Sequence, residues 1–358
     1  MIANPIRKPL IDMHPRWKDF LIERGATFAD GAVAHFGNPL QELQVATTGD
    51  IIADLSHRGL IRVAGADAAK FLQGQFTNDI LQVDAAHSQL SGYCSPKGRL
   101  LALMRVFLRG DAFHLELPRP LLAPTLERLK KYVLISKVSL EDASDALAGI
   151  GLSGRHSEEM LERIAGAIPR AADETTHYGE LTILRLPGLN PRFALYAPVE
   201  AMEKIWSDLD ALAAPAGTDA WTRLDVLAGL PDIYPATVEE FVPQFVNLEL
   251  LGGVSFKKGC YTGQEIVARL HYRGSVKHRL FLGHAMTKAS PAPGTPLLVA
   301  GDDQAVGQIV LAAPDPEGGC DLQAVVAAEH WQNNTLHLKD DPEAQITLRK
   351  PAQLSDLD

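Results

Sequence analysis

A chain of 358 residues is too long for one small core, so two or three domains are expected. Hydrophobic content of 46% beside 22% charged residues describes a globular chain, and no apolar run approaches the roughly 20 residues that span a bilayer. The net charge of −10 argues against a surface devoted to nucleic-acid backbone, while leaving room for a local basic patch. The opening residues, MIANPIRKPLIDMHPRWKDF, have neither the apolar core of a secretory signal nor the look of a transit peptide, so the expected location is the cytoplasm, with no membrane partner.

In chain order, PRWKDFLIER (15–24) predicts an amphipathic helix with Trp17, Phe20 and Leu21 on one side. IIADLS and LIRVAG read as short strands around a turn at His57–Gly59. Asp67 is placed to cap a helix, AAKFLQGQF. LLALMRVFLRG and AFHLELP predict a strand pair turning at Gly110–Asp111, and PTLERLKKYVLI a helix. From about residue 145 the composition loosens, through EDASDALAGIGLSG, before a helix (EEMLERIAGAI), two strands (LTILRL, FALYAP) and a helix (VEAMEKIWSDLDAL). AAPAGTDA (213–220) reads as a linker. WTRLDVLAGLPD then starts a helix ending at Gly229 ahead of Pro231. Beyond about residue 278, HRLFLGHAM, TPLLVA, QAVGQIVLAA, LQAVVAA and AQITLRK are short strands divided by Gly, Pro and Asp turns, the pattern of a small barrel or sandwich. Helices and strands mix without a strict βαβα rhythm, which favours an α+β body with an all-β C-terminal module.

Three scattered cysteines, Cys94, Cys260 and Cys320, offer no disulfide framework, no zinc spacing and no four-cysteine cluster site. Cys94 and Cys320 read as small packed hydrophobes. Cys260, in SFKKGCYTGQE (255–265), has different neighbours. Thr262-Gly263-Gln264-Glu265 has the form of a capping box, with Ile266, Val267 and Leu270 as apolar positions after it. A helix N-terminus and two lysines beside Cys260 both favour its thiolate, so a reactive or ligand cysteine stands against a packed one. Lys257, Lys258, Arg269, Arg273, Lys277 and Arg279 form a basic cluster, read either as a contact for an anionic small molecule or polyanion or as a solvated face. His57 and Arg58 in LSHRG, and Lys97 and Arg99 in SPKGR, are explained equally well by plain turns.

KGCYTGQE (258–265) resembles the signature of the YgfZ family, folate-binding proteins linked to iron–sulfur cluster assembly and tRNA modification. FLQGQFTNDI (71–80), YCSPKGRLLA (93–102) and PQFVNLELLGGVSFKKGCYTGQEIVARLHYRG (243–274) support the likeness, which runs from about residue 50 to the C-terminus and is weaker over 140–220. That family is similar to the glycine-cleavage aminomethyltransferase, or T protein. The resemblance implies a three-domain α+β fold: residues 1–145 with 219–277 as a folate-binding domain, 146–218 as a second α+β domain, and 278–358 as a C-terminal β-barrel. It implies tetrahydrofolate or a one-carbon derivative as cofactor, with Asn247, Glu249, Arg269 and Arg273 toward the pterin and its anionic tail. It also implies an essential thiol at Cys260, with Lys258, Tyr261, Gln264 and Glu265 around it. A transient iron–sulfur cluster, assembly proteins or iron–sulfur client enzymes, and a weak tRNA contact complete the expected partners. Leu101 and Ala102 stand where the aminomethyltransferase carries an Asp pair, so aminomethyl transfer by that route is not expected. A one-carbon transferase or demethylase acting on an amine, and a non-catalytic tRNA-contacting regulator, remain as alternatives.

Overall fold

The computed structural model describes residues 13–332 and 336–354. Helix α1 (Pro15–Glu23) leads into the hairpin β1 (Thr27–Ala29) and β2 (Ala32–His35), helix α2 (Pro39–Thr48) and strand β3 (Ile51–Asp54). Next come β4 (Arg58–Ala64), α3 (Ala68–Gln73), β5 (Gln89–Cys94), β6 (Leu100–Arg109), β7 (Ala112–Pro118), α4 (Arg119–Lys130) and β8 (Ser139–Asp142). Then follow β9 (Ala148–Ser153), α5 (Ser157–Ala165), β10 (Thr175–Tyr178), β11 (Leu181–Leu186), β12 (Arg192–Ala197), α6 (Val199–Asp210), β13 (Ala214–Ala216), α7 (Thr218–Leu227) and α8 (Gln264–Arg273). The chain finishes with β14 (His278–Ala285), β15 (Pro296–Val299), β16 (Ala305–Pro314), β17 (Cys320–Ala327), β18 (Leu336–Leu338) and β19 (Asp341–Arg349).

Three sheets carry the architecture: a five-stranded one ordered β5-β6-β7-β4-β8, a six-stranded one ordered β10-β11-β12-β9-β3-β13, and a closed barrel of β14 to β19. The expected α+β body with a C-terminal barrel is therefore the fold. β6 and β7 pair antiparallel across Gly110–Asp111, as the turn residues require. α7 stops at Leu227, with Gly229 at φ +67 just beyond, the left-handed position a helix exit prefers.

Several expectations are corrected. β3 and β4 do not pair with each other; each enters a different sheet, with residues 55–57 crossing between them. The supposed linker contains β13, which lies parallel to β3 with Ala214 beside Ile51. Small residues suit it because the strand lies close against α2 and β3. Within residues 13–54, assigned to the first domain from sequence, Trp17, Leu21, Val33 and Ile52 share a core with Ile150, Phe193 and Trp206, while Leu43, Ala46 and Ile51 join the core between the open sheets. Asp67 does sit at the head of α3, but its carboxylate accepts from the Lys137 backbone N–H at 2.7 Å instead of capping the helix.

A second core lies between the two open sheets, where Phe107 stacks on Tyr196 with ring centroids 5.1 Å apart. The largest one lies on the five-stranded sheet and takes in Leu280, Leu282, Val310 and Val325 of the barrel. Polar bonds fix the barrel in place. Gln323 Nε2 donates to the carbonyls of Asp225, Val226 and Leu230, and Arg223 on α7 meets Asp315 at 3.2 Å and Asp321 at 2.8 Å. The meeting of the three sheets around α7 creates the central cavity described below.

Candidate functional site

Cys260 lies in the loop that joins the body to α8. It is exposed, whereas Cys94 and Cys320 are buried. Burial pushes the Cys94 thiol up to about 12 and that of Cys320 up to about 11, so both are inert packing residues, as expected. A side chain added at Gly259 would meet nothing within 4 Å, which shows how open the thiol's surroundings are.

The loop itself is fixed. Lys258 Nζ donates three bonds of 2.7 Å, to the carbonyls of Gln73, Phe76 and Asn78, and lies 5.3 Å from the Tyr261 ring centroid. Burial pulls this ammonium down to about 8, with Asp79 opposing. Lys258 thus serves as a clamp; all three of its donors are used. The preceding turn is bound to the same segment: Thr77 Oγ1 donates to Gly253 O at 2.7 Å, Asn78 Nδ2 to Gly252 O at 2.7 Å, and Ser255 N to Thr77 O at 3.0 Å. These bonds explain why QFTND and GGVSFKKGC occur together. Tyr261 is buried beneath the loop, and burial raises its phenol.

The capping box does not form. α8 begins at Gln264 with Gly263 as its cap at φ +85, and no side chain caps it. A Cβ at Gly263 would lie 2.5 Å from Ser95 O and 2.8 Å from Gly98 Cα, while one at Gly98 would lie 2.8 Å from Ile266 Cβ. The two glycines let the SPKGR turn press against the head of the helix, and Arg99 in that turn donates to the Glu240 carbonyl. Gln264 and Glu265 occupy the first turn of α8, with Glu265 exposed.

Of the four residues expected toward a cofactor, two are bound to the barrel and two are exposed on α8. Asn247, at φ +58, ends a short 3-10 turn, and its buried Nδ2 donates to Leu280 O of the barrel at 2.9 Å. Glu249 pairs with Arg279 at 2.5 Å and keeps one buried oxygen without a partner among the described residues; burial raises its carboxyl. Both hold the barrel against the body. Arg269 and Arg273 are exposed on α8, as is Lys277 beyond it. None of the four lines the central cavity.

That cavity is built from residues the sequence scatters. His57 and Arg58 from the crossing segment, Arg105 on β6, Glu116 on β7, Trp221 and Asp225 on α7, and Asp232 and Tyr234 in the following loop all face it. It leaves about 60 Å³ for the centres of water-sized molecules. Arg58 bridges Glu116, at 2.6 Å, and Asp232. Arg192 meets Asp225 at 2.8 Å and lies with its guanidinium 4.0 Å from the Trp221 ring centroid. Burial raises Asp232 to about 6, against the pull of Arg58. Burial, helped by Arg58, drops His57 to about 3, leaving a neutral imidazole whose Nδ1 has no partner among the described residues. A second, smaller cavity shares Leu55 and Arg58 as its wall and reaches Trp17 and Ser56. Those two hold Asp54, which burial raises to about 6.

One group of metal-type ligands exists among the described residues, His284, Asp315 and Asp321, and Arg223 already engages both carboxylates.

The family profile described as the GCVT N-terminal domain matches residues 22–224. The chain is 34% identical over 291 residues to the tRNA-modifying protein YgfZ of Edwardsiella ictaluri, covering 80% of this chain and 88% of that one. It is 31% identical over 300 residues to the protein of that name from Sodalis glossinidius, covering 83% and 91%. The chain belongs to the YgfZ family. The aminomethyltransferase T of the Bartonella henselae glycine cleavage system superposes on this YgfZ-family chain with a TM-score of 0.77 at 16% identity, covering 94% of it and 96% of that structure, so the two share a fold.

Proposed function

We propose that the chain is a tetrahydrofolate-binding accessory protein of iron–sulfur cluster assembly and repair, with Cys260 as its working thiol and tRNA-modifying iron–sulfur enzymes among its clients. The observation that carries this reading is the exposed Cys260 on a loop that Lys258 and Thr77 lock to the body. An exposed thiol on a rigid loop can present one sulfur to a cluster held by a partner. The other ligands must come from that partner, because Cys94 and Cys320 are buried. The names of the relatives support the tRNA connection.

The central cavity suits a pterin, whose edge presents both donors and acceptors. His57 Nδ1 is buried there without a partner among the described residues, and Trp221 supplies a flat apolar wall. Asp232 and Tyr234 add an acceptor and a hydroxyl. Tetrahydrofolate, when bound, carries a one-carbon unit. The residues of this chain orient it: neutral His57 accepts or donates without adding charge, and Arg58 holds Glu116 and Asp232 in place. The earlier candidates Arg269 and Arg273, with Lys257 and Lys277, are better suited to a polyanion contact on the thiol face.

A second reading, a folate-dependent one-carbon transferase acting on an amine, draws support from Asp232. A buried carboxyl near 6 can accept a proton at neutral pH, which supplies the base that Leu101 and Ala102 cannot.

Anaerobic calorimetry with tetrahydrofolate tests the first reading, together with complementation of iron–sulfur enzyme activity in cells lacking the protein. One-to-one binding that Asp232→Asn weakens and Cys260→Ser leaves intact is expected, while Cys260→Ser fails to complement. Absence of binding refutes the folate part, and full complementation by Cys260→Ser refutes the thiol part.

A further inference from the structure

After α4 the chain runs Lys131-Tyr132-Val133-Leu134-Ile135-Ser136-Lys137 before β8. Val133 and Val138 pack against the large core, so the loop is anchored at both ends. Backbone bonds hold its shape: Ser136 N donates to Val133 O at 2.8 Å, and Lys137 N to the Asp67 carboxylate at 2.7 Å. Leu134, at φ +44, turns the chain outward. The result is two adjacent aliphatic side chains standing in water, Leu134 86% and Ile135 99% exposed, with Tyr132 also exposed beside them.

Single exposed aliphatics are ordinary, but an adjacent, almost fully exposed pair beside lysines is not. The cations of this stretch that face solvent are Lys130, Lys131 and Lys137, with Glu127 beside Lys130 and the Asp67 carboxylate against the Lys137 backbone, while Arg128 is half-buried. Glu127 pairs with Lys130 at 3.1 Å, and Lys131 and Lys137 are exposed.

The chemistry discriminates among partners. An RNA surface stacks bases on aromatic rings and arginine planes, and aliphatic knobs offer it nothing comparable. Protein interfaces are depleted in lysine and enriched in arginine and aromatic residues. Aliphatic tips, a tyrosine and lysines together match the boundary of an anionic bilayer, where the apolar group enters, the phenol sits at headgroup level and the ammonium groups meet phosphates.

We propose that the loop 131–137 is a peripheral contact for anionic phospholipid membranes, with Leu134 and Ile135 inserting, Tyr132 at the headgroups, and Lys131 and Lys137 against lipid phosphate. No described helix is long and apolar enough to cross a bilayer, so attachment is reversible and rests on two weak signals acting together.

Vesicle flotation with the full-length protein tests this, using phosphatidylglycerol mixed with phosphatidylethanolamine beside phosphatidylcholine alone. Binding to the anionic vesicles that weakens with salt is expected. Leu134→Ser/Ile135→Ser should lower the partition by about tenfold or more, and Lys131→Glu/Lys137→Glu should abolish it. Both variants should unfold at the wild-type temperature, since these side chains are exposed. No flotation with anionic vesicles at low salt, equal binding to both vesicle types, or an unchanged partition for the aliphatic variant overturns the proposal. Filter binding with bulk tRNA runs alongside. If the aliphatic variant loses tRNA affinity and keeps vesicle affinity, the loop is an RNA contact and the membrane assignment is wrong.

Discussion

Replacing Lys258 by methionine keeps the length of the side chain and removes its three donors. The carbonyls of Gln73, Phe76 and Asn78 would then lose the ammonium that joins them to the thiol loop. A hydrogen bond to a charged group contributes roughly 1.5–3 kcal/mol, so three give about 4–9 kcal/mol. Against this stands the burial that pulls the ammonium down to about 8. The side chain keeps some solvent exposure, which screens that opposing effect. A net loss of about 2–3 kcal/mol in loop closure follows, equivalent to roughly thirty- to a hundred-and-fiftyfold more frequent opening. Hydrogen exchange over residues 74–79 and 255–263 reads this directly. Cys260 alkylation provides a second readout, since the other two thiols are buried with raised pKa values. Lys258→Arg should recover only part of the protection, because a planar fork does not match three converging carbonyls. Wild-type exchange and alkylation in Lys258→Met would show that the clamp does not hold the loop and that Lys258 acts in some other way.

Thr262→Ala should leave stability within about 0.5 kcal/mol, because no cap bond exists to lose. Gly263→Ala should cost more than about 2 kcal/mol, since it combines φ +85 with a contact of 2.5 Å to Ser95 O; chemical denaturation of the two variants checks the contrast. Asp54 has a folded pKa near 6, above its unfolded value, so its burial penalty is absent at acid pH and grows as pH rises from about 4 to 6. Relative to wild type, Asp54→Asn should therefore gain about 2–3 kcal/mol of stability between pH 4 and 7. Parallel stability profiles for the two proteins would show that the carboxyl is not buried as described. Alkylation mapped by peptide should mark Cys260 in the native protein and reach Cys94 and Cys320 only on unfolding; early labelling of Cys94 contradicts the packing of β5.

The barrel was legible because its strands are short, apolar and separated by Gly, Pro and Asp. The thiol loop was legible because KGCYTGQE packs its chemistry into eight consecutive residues. The capping box misled because its spacing is right but its second residue is a glycine in the left-handed region, which takes over as the cap and moves the helix start past Thr262. β9 and β13 were hidden in alanine, glycine and proline tracts, where tertiary pairing with β3 and β12 overrides weak local preference. The cavity was illegible for another reason. Arg58, Glu116 and Asp232 meet across 58 and 174 positions of chain, and no local pattern encodes an ion triad of that kind. His57 and Arg58 were visible as residues, but their role depends on two sheets that the linear chain does not display. Asn247 and Glu249 have the polar chemistry of a ligand site, and their bonds to Leu280 O and Arg279 of the barrel could not be read from the sequence.

The crossing between β3 and β4 carries a mechanical consequence. Residues 55–57 form both the strap that joins two sheets and part of the cavity wall. Any shear of one sheet against the other must drag His57 and Arg58 with it, so the shape of the cavity and the angle between the sheets form a single coordinate. Whatever fills the cavity therefore rests on the same short segment that joins the two sheets.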